Sequence, residues 1–247
     1  KIEPSNFDGI SASAVDLNET VLLQSKNEKE NGFWWYEKNT ITIPAAVSVN
    51  KISSPLMSKD NKTLIYKEEN FDLSPQMMLI EKDKKIPLLI YQSNPHCRYF
   101  NQGKSKIIKF RNSRGHILNA AVFFPSDYNA KKSYPMIVHV YSRQAEKALE
   151  YVNPSLYSPA GFNVSHYTNN GYFVLFPDII YESGNPGKSA ADCVVSATKK
   201  IMDELPLDPK RIGLIGHSFG GYEADFIITQ TDLFSAAVAG AAITDLI

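Results

Sequence analysis

Short apolar runs alternate with charged, turn-prone segments between residues 20 and 92. The pattern occurs in VLLQSKNEKENGFWWYEK, in PLMSKDNKTLIYKEEN and in MMLIEKDKKIPLLIY, where Asn, Asp, Gly and Lys separate runs rich in Ile, Leu, Tyr and Trp. This pattern predicts a succession of antiparallel β-hairpins. Hairpins that follow one another in this way could form about two blades of a β-propeller, each a four-stranded antiparallel sheet. The alternative is a free-standing antiparallel meander.

The pattern changes near residue 105. IIKFRNSRGHILNAAVFFP predicts one more hairpin that turns at Gly115, and beyond it short buried runs alternate with helical segments. We therefore predict two domains, residues 1–105 with the hairpins and residues 106–247 with a parallel-rich sheet and helices of the α/β class. The predicted strands are 136–141, 171–178, 211–216 and 234–240, and the predicted helices are 144–151, 187–205 and 219–230.

Composition narrows the range of partners. Lys plus Arg and Asp plus Glu are 26 each, and no segment is strongly basic, which argues against binding to nucleic acid or to an anionic membrane. No apolar run approaches the roughly 18 residues of a membrane span. The two cysteines, Cys97 and Cys193, fit neither a disulfide framework nor a zinc pattern, and we expect no metal and no cofactor. The balanced charge favours a peptide or a small molecule as the substrate.

The segment IGHSFGG, residues 215–221, contains the candidate chemistry. A serine hydroxyl is a weak nucleophile unless a base takes its proton and hydrogen-bond donors meet the attacked carbonyl oxygen. In the pattern Gly-x-Ser-x-Gly the serine lies on a sharp turn between a strand and a helix, and the glycines leave room where side chains would collide. An apolar run ends at Gly216 and a helical pattern begins after Ser218, which predicts such a nucleophile elbow.

At these residues the sequence resembles the prolyl oligopeptidase family of serine peptidases, which includes dipeptidyl peptidases and acylaminoacyl peptidases. DPKRIGLIGHSFGGYEADFIITQTDLFSAAVAGA is similar to the family's nucleophile region, SYPMIVHVY and NGYFVLFPD to its earlier strands, and MSKDNKTLIYKEEN to its propeller hairpins. The resemblance implies a β-propeller stacked on an α/β-hydrolase domain. It also implies hydrolysis of short peptides, often after proline, and it permits an exported, periplasmic or secreted bacterial enzyme.

The resemblance assigns three site residues. Ser218 corresponds to the nucleophile, the backbone N–H of Phe219 to one oxyanion donor, and Tyr141, which ends the MIVHVY strand, to the tyrosine that completes the oxyanion hole. A tyrosine at the end of a buried strand is also common as a simple core edge. The family follows this tyrosine with a loop rich in Gly and Pro, whereas SRQAEKALE contains neither, so the sequence departs from the family pattern directly after Tyr141.

The order of residues along the chain predicts an incomplete catalytic site. The family's Asp and His follow the serine, but all five histidines (His96, His116, His139, His166 and His217) precede Ser218. We interpret His139 as a core residue and Asp178 as a loop-ordering residue, and we assign the triad Asp to none of the acidic residues after Ser218. The sequence is thus expected to be an inactive fragment whose last strand leaves an unpaired edge, through which it could associate with itself or a partner.

Two other functions fit the same scaffold. A noncatalytic binding or assembly module would retain Ser218 as a relic, and the unusual loop after Tyr141 favours it. An esterase or lipase of the α/β-hydrolase class would use the same strand, turn and helix, because a fold does not dictate its substrate. The propeller-like hairpins favour peptides, since an esterase does not need them.

Overall fold

The computed structural model describes residues 20–26, 30–37, 40–158 and 161–244, and the backbone but not the side chains of 40–43. The chain divides into two compact units, Lys1–Pro95 and His96–Ile247. The division comes earlier in the chain than the predicted position at residue 105. Local bonds account for this: the thiol of Cys97 lies 3.1 Å from the hydroxyl of Tyr151, and the hydroxyl of Ser105 donates to the carbonyl of Ala148.

The first unit consists of antiparallel strands in sequence order. Strands β1 (Val21–Lys26), β2 (Asn31–Glu37) and β3 (Thr40–Ser48) form one sheet, and β4 (Lys51–Met57), β5 (Thr63–Asn70), β6 (Leu73–Glu81) and β7 (Leu88–Gln92) form another. The three predicted hairpins are therefore present, as β1–β2, β4–β5 and β6–β7. Whether the four-stranded sheet is a propeller blade stays a prediction.

The core of the first unit follows the two-residue period of its strands. Leu64 and Tyr66 on β5 are buried, as are Phe33 and Trp35 on β2. The rings of Phe33 and Tyr66 meet edge to face with their centroids 6.0 Å apart. The residues between these buried pairs, Trp34 and Ile65, are apolar as well but only partly buried, so burial follows the alternating direction of side chains along a strand and not an alternation of apolar and polar residues.

The second unit is a six-stranded mixed sheet with helices. Its strands are β8 (Ser105–Arg111), β9 (Ile117–Phe123), β10 (Tyr134–Val140), β11 (Phe173–Pro177), β12 (Leu207–His217) and β13 (Ala236–Gly240), in the order β13-β12-β10-β11-β9-β8. The strands β10 to β13 run parallel, and the hairpin β8–β9 adds an antiparallel edge. The helices are α1 (Val164–Asn169), α2 (Pro186–Glu204) and α3 (Phe219–Ile228), with 3₁₀ turns at Pro95–Tyr99 and Ala145–Leu149.

This architecture confirms the predicted α/β class and most of the predicted elements. The hairpin turns at Gly115, whose φ of 88° suits glycine. The helical segment predicted at 144–151 is a single 3₁₀ turn instead. The five residues of this turn bury only two small apolar side chains, Ala145 and Ala148, which is too little buried surface to extend the turn into an α-helix.

Helix α2 buries one face against the sheet. Its buried positions recur at three- and four-residue intervals, as expected for an amphipathic helix: Ala190, Cys193, Val194, Ala197 and Ile201. Cys193 is fully buried, and burial raises the pKa of its thiol, so it packs as a small apolar side chain. A Cβ on Gly187 would meet the ring of Phe226 at 2.6 Å, so this glycine permits the close approach of α2 and α3.

Strand register brings the ends of three strands together. Val140 at the end of β10 pairs with Gly216 on β12, and His217 pairs with Gly240 on β13. The carboxyl ends of parallel strands are the usual place for a site in an open α/β sheet. In the part of the chain that the structure describes, β13 is an edge strand, and association through that edge stays a prediction. None of the described helices is long and apolar enough to cross a membrane.

Candidate active site

Ser218 lies on a strained turn at the carboxyl end of β12. It follows His217, the last residue of the strand, and precedes Phe219, the first residue of α3. Its φ of 58° and ψ of −121° belong to a sparsely populated region that costs a residue other than glycine about 1–3 kcal/mol. The N–H of Ser218 donates to the carbonyl of Gly240 at 2.9 Å, which ties the turn to the end of β13.

The neighbouring glycines are required by close backbone contacts. A Cβ on Gly216 would lie 1.9 Å from the carbonyl oxygen of Gly220, and a Cβ on Gly220 would lie 2.2 Å from that of Val140. Neither contact leaves room for any side chain. The sequence pattern Gly-x-Ser-x-Gly therefore has a steric cause here, since both glycines allow the helix to start directly against the strand ends.

Phe219, the residue after the serine, is the first residue of the ten-residue helix α3. The first amides of a helix have no partner within the helix, and the aligned peptide dipoles give this end a partial positive charge. The backbone N–H of Phe219 therefore belongs to the positively polarised end of α3, one residue after Ser218. Such an amide can stabilise negative charge that develops on an attacked carbonyl oxygen.

Tyr141 lies close to the same turn. It follows Val140, the residue of β10 that pairs with Gly216, and is 41% exposed. Its ring carbon Cδ2 is 3.3 Å from the position that a Cβ on Gly220 would occupy. The fold thus brings Tyr141, Ser218 and Phe219 to one end of the sheet, as their assignment requires; their catalytic roles stay predictions.

Asp178 orders the loop that follows Tyr141. One carboxylate oxygen accepts the backbone N–H groups of Gln144 at 2.7 Å and Ala145 at 2.9 Å. The N–H of Ile179 donates to the carbonyl of Ser142 in the same loop. These bonds match the loop-ordering role predicted for Asp178, and they show how a loop without Gly or Pro is held beside the site.

Replacement of Asp178 by alanine is expected to lower the free energy of unfolding by about 1–3 kcal/mol, because two backbone donors lose their acceptor. The Asp178→Asn variant keeps a carbonyl oxygen at the same position, so its free energy of unfolding should fall by less than half as much as that of the alanine variant. Urea unfolding followed by circular dichroism measures both. An alanine variant as stable as the wild type would show that Asp178 does not hold this loop.

His139 is a packed residue, as predicted. Its ring lies against Phe162 and Phe176, with centroids 4.8 and 4.9 Å away, and its Nδ1 is 3.0 Å from the amide oxygen of Gln144. Burial, with the nearby charge of Lys147, lowers the pKa of His139 to about 4. His166 lies in the short helix α1, where its backbone N–H donates to the side-chain oxygen of the N-cap residue Asn163.

Sequence analysis missed two residues near the turn. Glu223 lies on the buried face of α3 with no exposed surface, and the hydroxyl of Tyr181 donates to it. The ring of Tyr181 in turn meets Phe219 edge to face. The sequence does contain a signal for Glu223, because it lies on the same face of α3 as Gly220, Ala224 and Ile227, and a carboxyl group is rare on a buried helix face. Nothing in the sequence pointed to Tyr181 as its partner.

Comparison with known proteins gives one family and several relatives. Residues 162–247 match the model of the prolyl oligopeptidase family. The chain is 21% identical over 239 residues to the uncharacterized peptidase YuxL of Bacillus subtilis, covering 90% of this chain and 34% of that protein. It thus spans about a third of the length of this relative.

Solved structures give the same picture of the fold. Dipeptidyl peptidase 4 of Porphyromonas gingivalis superposes with a TM-score of 0.71 at 20% identity, over 99% of this chain and 36% of that one. The acylaminoacyl peptidase of Pyrococcus horikoshii gives 0.67 at 17% identity, over 91% and 36%. At these identities the likeness shows a shared fold. Together with the family match, it confirms the resemblance found in the sequence.

Proposed function

We propose, from the prolyl oligopeptidase family domain that residues 162–247 carry, that Ser218 is the nucleophile of a serine peptidase. The backbone N–H of Phe219 and the hydroxyl of Tyr141 form the oxyanion hole. The substrates are short peptides, with cleavage after proline as the preferred reaction. We propose this activity for the full gene product, by which we mean the natural protein that contains these residues.

The conformation of Ser218 is the observation that carries the proposal. A serine with φ of 58° and ψ of −121° is disfavoured, and two glycines without room for a Cβ accommodate the turn. Strain of this kind persists where the surrounding structure enforces it, and it is frequent in catalytic turns. A plain structural turn would place glycine at this position and avoid the cost.

The proposed chemistry proceeds in two stages. The Ser218 hydroxyl adds to the peptide carbonyl while a histidine takes its proton, and the oxyanion is stabilised by the Phe219 amide and the Tyr141 hydroxyl. The same histidine then protonates the leaving amine, which leaves an acyl-enzyme on Ser218. Water, deprotonated by the histidine, hydrolyses this ester and frees the serine.

The base and its orienting aspartate are proposed to come from sequence outside these 247 residues. All five histidines precede Ser218, whereas the family order places the triad Asp and His after it. His139 lies on β10 against the rings of Phe162 and Phe176, and its packing and lowered pKa do not suit a general base at neutral pH. We therefore propose that the 247 residues alone do not turn over peptides.

The substrate class rests on the first unit and on the relatives. A four-stranded antiparallel sheet in sequence order, β4 to β7, has the make-up of a propeller blade. We propose short peptides as the substrates, because the resemblance to the prolyl oligopeptidase family implies them together with propeller blades. Of the similar solved structures, one is named as a dipeptidyl peptidase and another as an acylaminoacyl peptidase, which supports peptides as substrates here.

Hydrolysis of a proline p-nitroanilide peptide, set against a p-nitrophenyl ester of similar size, tests this function. The full gene product should cleave the anilide, and the 247-residue chain should be slower by roughly 10³-fold or more because it lacks its base. Equal rates for the two polypeptides would overturn the proposed origin of the base. Cleavage of the ester alone would indicate an esterase, and no cleavage of either would indicate a noncatalytic module.

A further inference from the structure

Glu223 is an unusual residue for its position. It lies one turn into α3, between the Ser218 turn and Ile227, and none of its surface is exposed. One of its carboxyl oxygens, Oε1, accepts a hydrogen bond from the hydroxyl of Tyr181 at 2.5 Å. The other, Oε2, is buried and has no hydrogen-bond partner among the described residues. A buried carboxyl with an unpartnered oxygen disfavours folding, so packing alone does not explain it.

The pair of Glu223 and Tyr181 is held in a low-dielectric setting. Burial raises the pKa of Glu223 to about 7, and the bond from Tyr181 opposes that rise. Burial, followed by the bond to Glu223, raises the pKa of the Tyr181 hydroxyl, which therefore keeps its proton and donates it to the bond. A hydrogen bond to a carboxyl oxygen is electrostatically stronger in such surroundings than in water.

Arg114 holds the residues on both sides of Tyr181. The guanidinium of Arg114 donates to the carbonyl of Ile180 at 3.3 Å and forms an ion pair with Glu182. The same side chain pairs with Asp192 on α2 at 3.1 Å. Tyr181 is therefore anchored through its neighbours as well as through its hydroxyl, although 36% of its surface is exposed.

The ring of Tyr181 reaches the residue that follows the serine. It meets the ring of Phe219 edge to face, with centroids 5.8 Å apart and planes at 63°. The ring of Phe219 also stacks against that of Tyr222, with centroids 5.6 Å apart. The side chain of Phe219 thus contacts two tyrosines, and its backbone amide is the proposed oxyanion donor.

We infer that Tyr181 is a positioning residue for acyl transfer: the Glu223 carboxyl fixes its ring against Phe219 and so holds the Ser218–Phe219 turn in its reactive geometry. This inference rests on the proposed peptidase function. Misplacement of a donor by a fraction of an ångström weakens transition-state stabilisation more than substrate binding. Loss of the bond should therefore lower kcat and leave KM nearly unchanged.

Four single variants and one double variant of the full gene product test the inference with a chromogenic peptide. Tyr181→Phe and Glu223→Leu should each lower kcat roughly tenfold, and the double variant should be no slower than either single one. Glu223→Gln keeps an oxygen acceptor and should restore most of the activity. Tyr128→Phe is the matched control, since Tyr128 is 38% exposed and its ring lies against Tyr134, at the far end of β10 from Tyr141.

Thermal unfolding separates positioning from simple support of the fold. The Glu223→Leu variant should unfold at the same temperature as the wild type or higher, because it removes a buried carboxyl with an unpartnered oxygen. Its kcat should nevertheless be lower than that of the wild type. A kcat unchanged in both single variants, a rise in KM at constant kcat, or a loss of activity that only follows a loss of stability would overturn the inference. A wild type without peptidase activity would instead refute the proposed function.

Discussion

Replacement of Ser218 by alanine is expected to lower kcat of the full gene product by at least about 10³-fold, with little change in KM. The hydroxyl is the atom that forms the acyl-enzyme, whereas substrate binding depends on other groups. Alanine keeps the backbone conformation and its cost, since φ stays near 58°. The rate is measured with the proline p-nitroanilide peptide, and a variant that keeps more than a tenth of the wild-type kcat would contradict the assigned nucleophile.

A second substitution at the same position separates chemistry from strain. The Ser218→Gly variant should be as inactive as the alanine variant but more stable by about 1 kcal/mol, because glycine tolerates the positive φ. Thermal unfolding of the two variants side by side measures this difference. Equal stability would show that the turn does not store the proposed strain.

Replacement of Gly216 by alanine is expected to disrupt the turn itself. The new Cβ would lie 1.9 Å from the carbonyl oxygen of Gly220 and 2.9 Å from a methyl group of Val140. Backbone must move to relieve such contacts, so we expect a loss of about 3 kcal/mol or more in the free energy of unfolding, and no peptidase activity in the protein that still folds.

Gly213 on the same strand provides a matched control for Gly216. A Cβ there would have its nearest contact at 3.8 Å, an ordinary van der Waals distance from the carbonyl oxygen of Ala236. The Gly213→Ala variant should therefore be within about 1 kcal/mol of the wild type and retain activity. If both alanine variants behave alike in urea unfolding and in peptide hydrolysis, the steric account of the Gly-x-Ser-x-Gly pattern is wrong.

Local patterns in the sequence predicted the elements of the fold but not their arrangement. The apolar run at 136–141 lies in β10 except for Tyr141, which follows the strand, and the run at 211–216 lies in β12. The β8–β9 hairpin turns at the predicted glycine, Gly115. These features depend on residues near one another in the chain. The lateral order of β10, β11 and β12 depends on how crossovers pack, which no short segment of sequence specifies.

The residues of the candidate site likewise differ in whether the local sequence predicts them. Ser218 and Phe219 could be found because the strand, the turn and the helix are encoded within a few residues. Tyr181 could not, because its bond to Glu223 joins residues 42 positions apart that only the packing of α3 against the loop after β11 brings together. The unusual loop after Tyr141 is a third case, since its anchor, Asp178, comes from a different strand end.

The central claim, that Ser218 is an activated nucleophile, is tested most directly by labelling the full gene product with a fluorophosphonate and locating the adduct by tryptic mass spectrometry. We predict one adduct, on Ser218, that forms stoichiometrically in the wild type and is absent from the Ser218→Ala variant. An adduct on another residue, or no adduct in a preparation that cleaves the proline p-nitroanilide peptide, would contradict the claim.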